Sequence, residues 1–231
     1  MQTVSAQVKK PPVAGKKPAP AAARTVKPVV GKKTIVEITT DFGIMHVMLY
    51  DSTPLHKANF LKLVREGFYD SLLFHRVIQG FMIQGGDPAS KNAEPGQMLG
   101  NGSAPGERIP AEFRPYYVHK KGALAAARDN NPERASSNCQ FYIVQGKSYT
   151  DIDLNKMECT ARSTNPAFTY TPQQRANYRQ QGGTPFLDQN YTVFGEVIKG
   201  LEVIDKIAAV SKGASDRPTE DVRMKMRIIS E

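Results

Sequence analysis

The chain of 231 residues is 40% hydrophobic and carries a formal net charge of +9, which suits one sizeable domain. No run approaches the roughly 18 apolar residues that a spanning helix needs, so no membrane span is expected. Eight of the positive charges lie in residues 1–33, which hold no Asp or Glu. The remainder is close to neutral, and its charge does not mark a nucleic-acid-binding domain.

The first segment repeats Lys, Pro, Ala and Val, as in Lys9-Lys10-Pro11-Pro12 and Lys27-Pro28-Val29-Val30. Proline removes backbone donors, and little apolar surface offsets the entropy of ordering. A disordered basic spacer is expected over 1–33, ahead of a folded domain over 34–231. Within it, Val4-Ser5-Ala6 before Gln7 has the small-residue pattern that ends a secretory signal. Residues 1–6 therefore read as the remnant of a signal peptide, and a periplasmic or otherwise exported protein is expected over a cytoplasmic one.

Thr34–Thr40 and Gly43–Tyr50 are β-rich runs joined across Asp41-Phe42-Gly43, which predicts a hairpin. Thr53-Pro54 then offers an N-cap with proline at the first helical position. Leu55, Ala58, Phe60, Leu61 and Val64 follow at helical spacing until Gly67. Leu72–Ile78 and Phe81–Gln84 are predicted strands meeting at Gly80, and 85–106 is rich in loop residues. Further strands are expected at Leu124–Arg128, Gln140–Gln145, Thr192–Ile198 and Asp221–Ser230, with a short helix over Leu201–Ala208. In the last strand Val222, Met224, Met226 and Ile228 alternate with Arg223, Lys225 and Arg227, so one face is buried and one wet. Many strands with only two core helices point to a closed antiparallel barrel.

Gly146–Pro185 interrupts this pattern with helical signals. Thr150 can cap Asp151–Arg162, and Thr171-Pro172-Gln173-Gln174 is a capping box that opens a second helix, stopped at Gly182-Gly183. A helical hairpin inserted into the barrel is expected over 146–185. Cys139 and Cys159 are too few for a disulfide framework. His46, His56, His75 and His119 lack ligand-like spacing, so no metal and no cofactor are expected.

Phe74-His75-Arg76-Val77-Ile78-Gln79-Gly80-Phe81-Met82-Ile83-Gln84-Gly85-Gly86-Asp87 resembles the signature segment of the cyclophilins. Gly122–Arg128 running to Ser137–Val144 resembles that family's second binding strand pair. Phe186-Leu187-Asp188 with Tyr191-Thr192-Val193-Phe194-Gly195 resembles the block that closes its groove. The likeness runs in order over 34–231 and skips the insertion.

The resemblance implies a mainly β fold, a closed eight-stranded antiparallel barrel capped by two helices, with a groove for X-Pro peptides. It implies a peptidyl-prolyl cis-trans isomerase acting on proline-containing polypeptides; a monomer is expected, and no nucleic-acid partner, since no recognition motif accompanies the basic segment. The amide must lose resonance as it turns, against a barrier of about 18–20 kcal/mol. Arg76 matches the catalytic arginine, a fixed cationic donor to the prolyl nitrogen of the twisted amide. Phe81, Met82, Tyr142 and Leu187 match the walls of the proline pocket. Gln84 and Gln140 match groups that bind substrate backbone and orient the arginine. Gln140 shares a strand face with Tyr142, opposite the core-facing Cys139, Phe141 and Ile143.

Ala127 and Arg128 match positions that receive the residue before proline, mainly through backbone hydrogen bonds, with the arginine side chain free to remain solvated. Three residues depart from the usual pattern. Tyr142 replaces a phenylalanine, and its buried hydroxyl needs a partner. Phe186 stands where drug-sensitive members have tryptophan, and Tyr191 replaces a histidine on the groove wall. The rival expectation on the same fold is a proline-peptide binding module or chaperone without turnover.

Overall fold

In the computed structural model, which describes residues 33–231, the chain builds one sheet of eight antiparallel strands. The expected basic spacer and signal remnant lie outside the described residues, apart from Lys33. β1 (Ile35–Thr40) and β2 (Gly43–Leu49) pair in full register from Ile35 opposite Met48 to Thr40 opposite Gly43. The strands β3 (Arg76–Ile78), β4 (Met82–Gly85), β5 (Ala123–Ala126) and β6 (Phe141–Val144) follow. β7 (Val193–Lys199) and β8 (Lys225–Ser230) complete the sheet. Their spatial order is β3-β4-β6-β5-β7-β2-β1-β8.

The sheet curls into an open half-barrel, which corrects the expectation of closure. β3 and β8 are its two ends and do not pair with each other. The predicted strand over Leu72–Ile78 is regular only from Arg76. Its first part instead meets the approach to β8, where the Ser71 and Phe74 amides donate to Met224 and Val222 and the Met224 amide donates to Leu72.

α1 (Pro54–Arg65) and α4 (Leu201–Ala208) bury Phe60, Leu61, Val203, Ile204 and Ile207 in the main core, with Val36, Ile38, Ile83, Phe141 and Ile143 from the strands. The start of α1 differs from expectation. Thr53 makes no side-chain cap; its hydroxyl donates to the Tyr50 carbonyl. The buried carboxylate of Glu112, from a distant loop, accepts from the amides of Leu55 and His56 at 3.2 and 3.0 Å. A long-range carboxylate has replaced the local cap because it also accepts from the His56 ring at 2.7 Å.

The inserted hairpin forms as its caps dictate. α2 (Asp151–Arg162) and α3 (Pro172–Gln180) each begin with a complete capping box, on Thr150 and Thr171. Leu154, Ala161, Phe168, Tyr170 and Tyr178 pack with Val118 into a small core of their own. Cys139 is buried and Cys159 exposed, and both are free thiols. Among the described residues no helix is long and apolar enough to cross a membrane.

Candidate active site

β5 and β6 are buried at every residue, because both of their faces are covered. Leu124, Ala126, Phe141 and Ile143 face the main core, while Ala123, Ala125, Tyr142 and Val144 belong to a second cluster with Met82 and Val193. Period-two alternation thus gives one stretch of sheet two apolar sides. Phe81, Ala127, Leu187 and Tyr191 pack against this second cluster.

A cavity of about 430 Å³ opens over it. Of the predicted residues, Arg76, Phe81, Met82, Gln84, Ala127, Arg128, Tyr142, Leu187 and Tyr191 all line it. Gln140 lines an adjoining polar cavity of about 710 Å³ and reaches the first through Gln84. Phe186 lines neither; it is 42% exposed and its ring packs on Phe81 at 5.6 Å between centroids.

Arg76 stands on β3 directly opposite Gln84 on β4. Its guanidinium donates to Gln84 Oε1 at 3.4 Å. Gln84 Nε2 donates to Gln140 Oε1 at 3.1 Å, and Gln140 Nε2 donates to the carbonyls of Gly100 and Gly102, both at 2.8 Å. The two carbonyls can only accept, so they fix which end of Gln140 faces Gln84 and which end of Gln84 faces Arg76. The glycine loop is tied in turn to Asp87, which is wholly buried and accepts from the Gly100 and Gly102 amides. A Cβ on Gly102 would lie on the Asp87 carboxylate, so this close approach requires glycine. The second partner of Arg76 is Asp216, at 3.6 Å from Nε.

His75 precedes Arg76 and is buried, and neither ring nitrogen has a protein partner. Burial lowers its pKa to about 4, against the opposing pull of the Asp87 carboxylate. It is therefore neutral at pH 7 and adds no charge beside the guanidinium.

The Tyr142 hydroxyl has the partner that its burial demands. Burial holds its pKa well above the usual value, so it stays a donor, and it donates to His119 Nε2 at 3.0 Å. His119 Nδ1 donates to the buried carboxylate of Asp188 at 2.7 Å. Arg128 is not simply solvated. Its Nε donates to the Asn190 carbonyl and its guanidinium lies 4.5 Å from the centre of the Tyr191 ring. Ala127 offers less backbone than expected, since its amide donates to Gln140 and its carbonyl accepts from Ser137.

The sequence reading missed Asp87, His119, Asp188 and Asp216 as parts of the site. Asp87 and Asp188 lie within the segments that resemble the family, and the Asp87 side chain caps the turn that begins at Pro88. His119 had only its residue type, and Asp216, in a turn with positive φ, had no signal at all.

The family model described as cyclophilin type peptidyl-prolyl cis-trans isomerase/CLD matches residues 35–227. The chain belongs to the cyclophilin family. It is 34% identical over 189 residues to a peptidyl-prolyl cis-trans isomerase of Staphylococcus haemolyticus, covering 81% of this chain and 86% of that one. A bifunctional phosphatase/peptidyl-prolyl cis-trans isomerase of Streptococcus pyogenes is 38% identical over 81% of this chain, which spans 37% of that protein's length. Among solved structures, a Cryptosporidium parvum cyclophilin covers 86% of this chain and 99% of its own at 23% identity, with a TM-score of 0.62. That likeness speaks for the fold, and the family match for the isomerase activity.

Proposed function

We propose that this cyclophilin turns X-Pro bonds in peptides and folding proteins by seating the proline ring on Phe81, Met82, Tyr142 and Leu187 while Arg76 donates to the twisted amide. Uncatalysed exchange takes roughly tens to hundreds of seconds. As resonance is lost, the prolyl nitrogen regains a lone pair, and a hydrogen bond to it exists only in the twisted state. Such a contact lowers the barrier without tightening ground-state binding. A loss of about 7 kcal/mol from the barrier gives roughly 10⁵-fold acceleration.

The observation that carries this reading is the amide relay behind Arg76. Gly100 and Gly102 hold Gln140, Gln140 holds Gln84, and Gln84 holds the guanidinium beside an apolar wall. A donor fixed in advance pays no reorganisation when the amide twists. Gln84 and Gln140 act on the arginine, Arg128 and Tyr191 bound the groove, and Phe186 backs Phe81 from outside it.

An exchange assay on a short X-Pro peptide tests it. Arg76→Ala should lower kcat/KM by about two to three orders of magnitude, equivalent to about 3–4 kcal/mol. A variant as active as the parent would overturn the mechanism, and peptide binding without turnover by the parent would support the binding-module alternative. The proposal of export rests on Val4-Ser5-Ala6. Protein made in cells and recovered with Gln7 at its N-terminus would support it; an unprocessed chain retained in the cytoplasm would reject it.

A further inference from the structure

No residue of the insertion lines either cavity, yet the insertion is bonded to the groups behind the wall. At its base Lys147 and Gly183 exchange backbone hydrogen bonds, and the Thr184 amide donates to the His119 carbonyl at 2.8 Å. A Cβ on Gly183 would strike both that carbonyl and the Tyr178 ring, so α3 is seated directly against His119. Two tyrosines of the insertion then reach one oxygen of Asp188. Tyr170 donates to Oδ2 at 2.7 Å and Tyr178 at 2.6 Å. The other oxygen accepts from the amide and the ring Nδ1 of His119, at 2.8 and 2.7 Å.

Every group in this chain is at most 4% exposed, from Tyr142 through His119 and Asp188 to Tyr170 and Tyr178. The directions are fixed by chemistry. An ionised carboxylate only accepts, so three side-chain donors converge on Asp188, and His119 Nε2 is left as the acceptor for Tyr142. Meanwhile the three arginines of the insertion are occupied within it. Arg162 and Arg175 pair with Glu158, and Arg175 and Arg179 with Asp151.

We propose that His119 and Asp188 are positioning residues of the proline pocket, and that Tyr170 and Tyr178 make the insertion the buttress that holds the Tyr142 ring in place. This rests on the reading of the cavity as the proline site. Tyr142 touches the ring of the bound proline in ground and twisted states alike, so loosening it raises KM and leaves kcat nearly unchanged.

A double-mutant cycle on a tetrapeptide substrate tests the coupling, with kcat and KM resolved by exchange spectroscopy. Tyr170→Phe with Tyr178→Phe should raise KM by about three- to tenfold, as expected when a buried carboxylate loses two donors. In a Tyr142→Phe background, where the link to the ring is already cut, the same pair should change KM by less than about twofold. The ¹⁵N shift of His119 Nε2 should move in both single arms.

Equal effects in the two backgrounds would overturn the proposal. So would an effect confined to a proline-limited protein substrate, since that marks a rim contact. Should the pair unfold the protein, Tyr178→Phe alone carries the cycle. Arg76→Ala run alongside separates the two readings. If it abolishes exchange while the cycle shows no coupling, the site stands and the buttress falls.

Discussion

Arg76 works as a donor only if its neighbours neither quench nor misdirect it, and His75 is the neighbour with the most to lose in acid. Its folded pKa of about 4 lies below the ordinary 6.5. The unfolded chain therefore takes up a proton between these values and the folded protein does not. Stability from this group is complete above pH 6.5 and is lost as pH falls toward 4, by roughly 3 kcal/mol for one such histidine. His56, lowered by burial against the pull of Glu112, acts in the same direction. Urea titrations at pH 7 and pH 4.5 should show the loss, and His75→Asn should lessen it. An unchanged pH dependence in that variant would show that His75 is not its source. At this scale the sequence displayed chemistry but not partners. Arg76, Gln84 and Tyr142 were legible in a contiguous block or on a period-two face. Asp216 approaches Arg76 from 140 positions away through a turn that no pattern announces.

α1 shows how an element can be predicted well and its fastening missed. Proline at the first position and apolar residues at helical spacing set its extent, and it runs to Arg65 as Gly67 suggested. The cap is Glu112, because a carboxylate can serve two amides and the His56 ring at once, whereas the Thr53 hydroxyl is engaged with Tyr50. Glu112→Ala should destabilise the fold by on the order of 2 kcal/mol, through the lost cap and a buried His56 Nδ1 left without its partner, while Nε2 keeps Ser136. Thr53→Ala should cost less, contrary to what the sequence alone implies. Melting temperatures of the two variants decide the order. α2 and α3, by contrast, were readable outright, since a capping box is written within four residues. What they pack against was not, because Tyr170 and Tyr178 carry no mark of the aspartate they serve.

For the whole molecule, the net positive charge is concentrated at one end of the sequence. Residues 1–33 hold eight basic residues and little that could be buried. Their deletion should leave peptide turnover and the melting temperature nearly unchanged; a large drop in melting temperature would show that they pack on the domain. The number and direction of the strands followed from alternation and turn chemistry, but closure did not. Whether two ends of a sheet meet depends on twist summed over eight strands, to which each residue contributes too little to read.

That open end has a consequence for the reaction. β3 is only three residues long, lies at the limit of the sheet, and is paired along one side alone, yet it carries Arg76. The strands that shape the apolar wall, β4, β5 and β6, have neighbours on both sides. Local opening is easiest where few backbone bonds must break. Amide hydrogen exchange should therefore be faster across Arg76–Ile78 than across Phe141–Val144. The side-chain relay through Gln84 and Gln140 must therefore supply the rigidity that the edge strand does not, holding the guanidinium still on a backbone tied along one side.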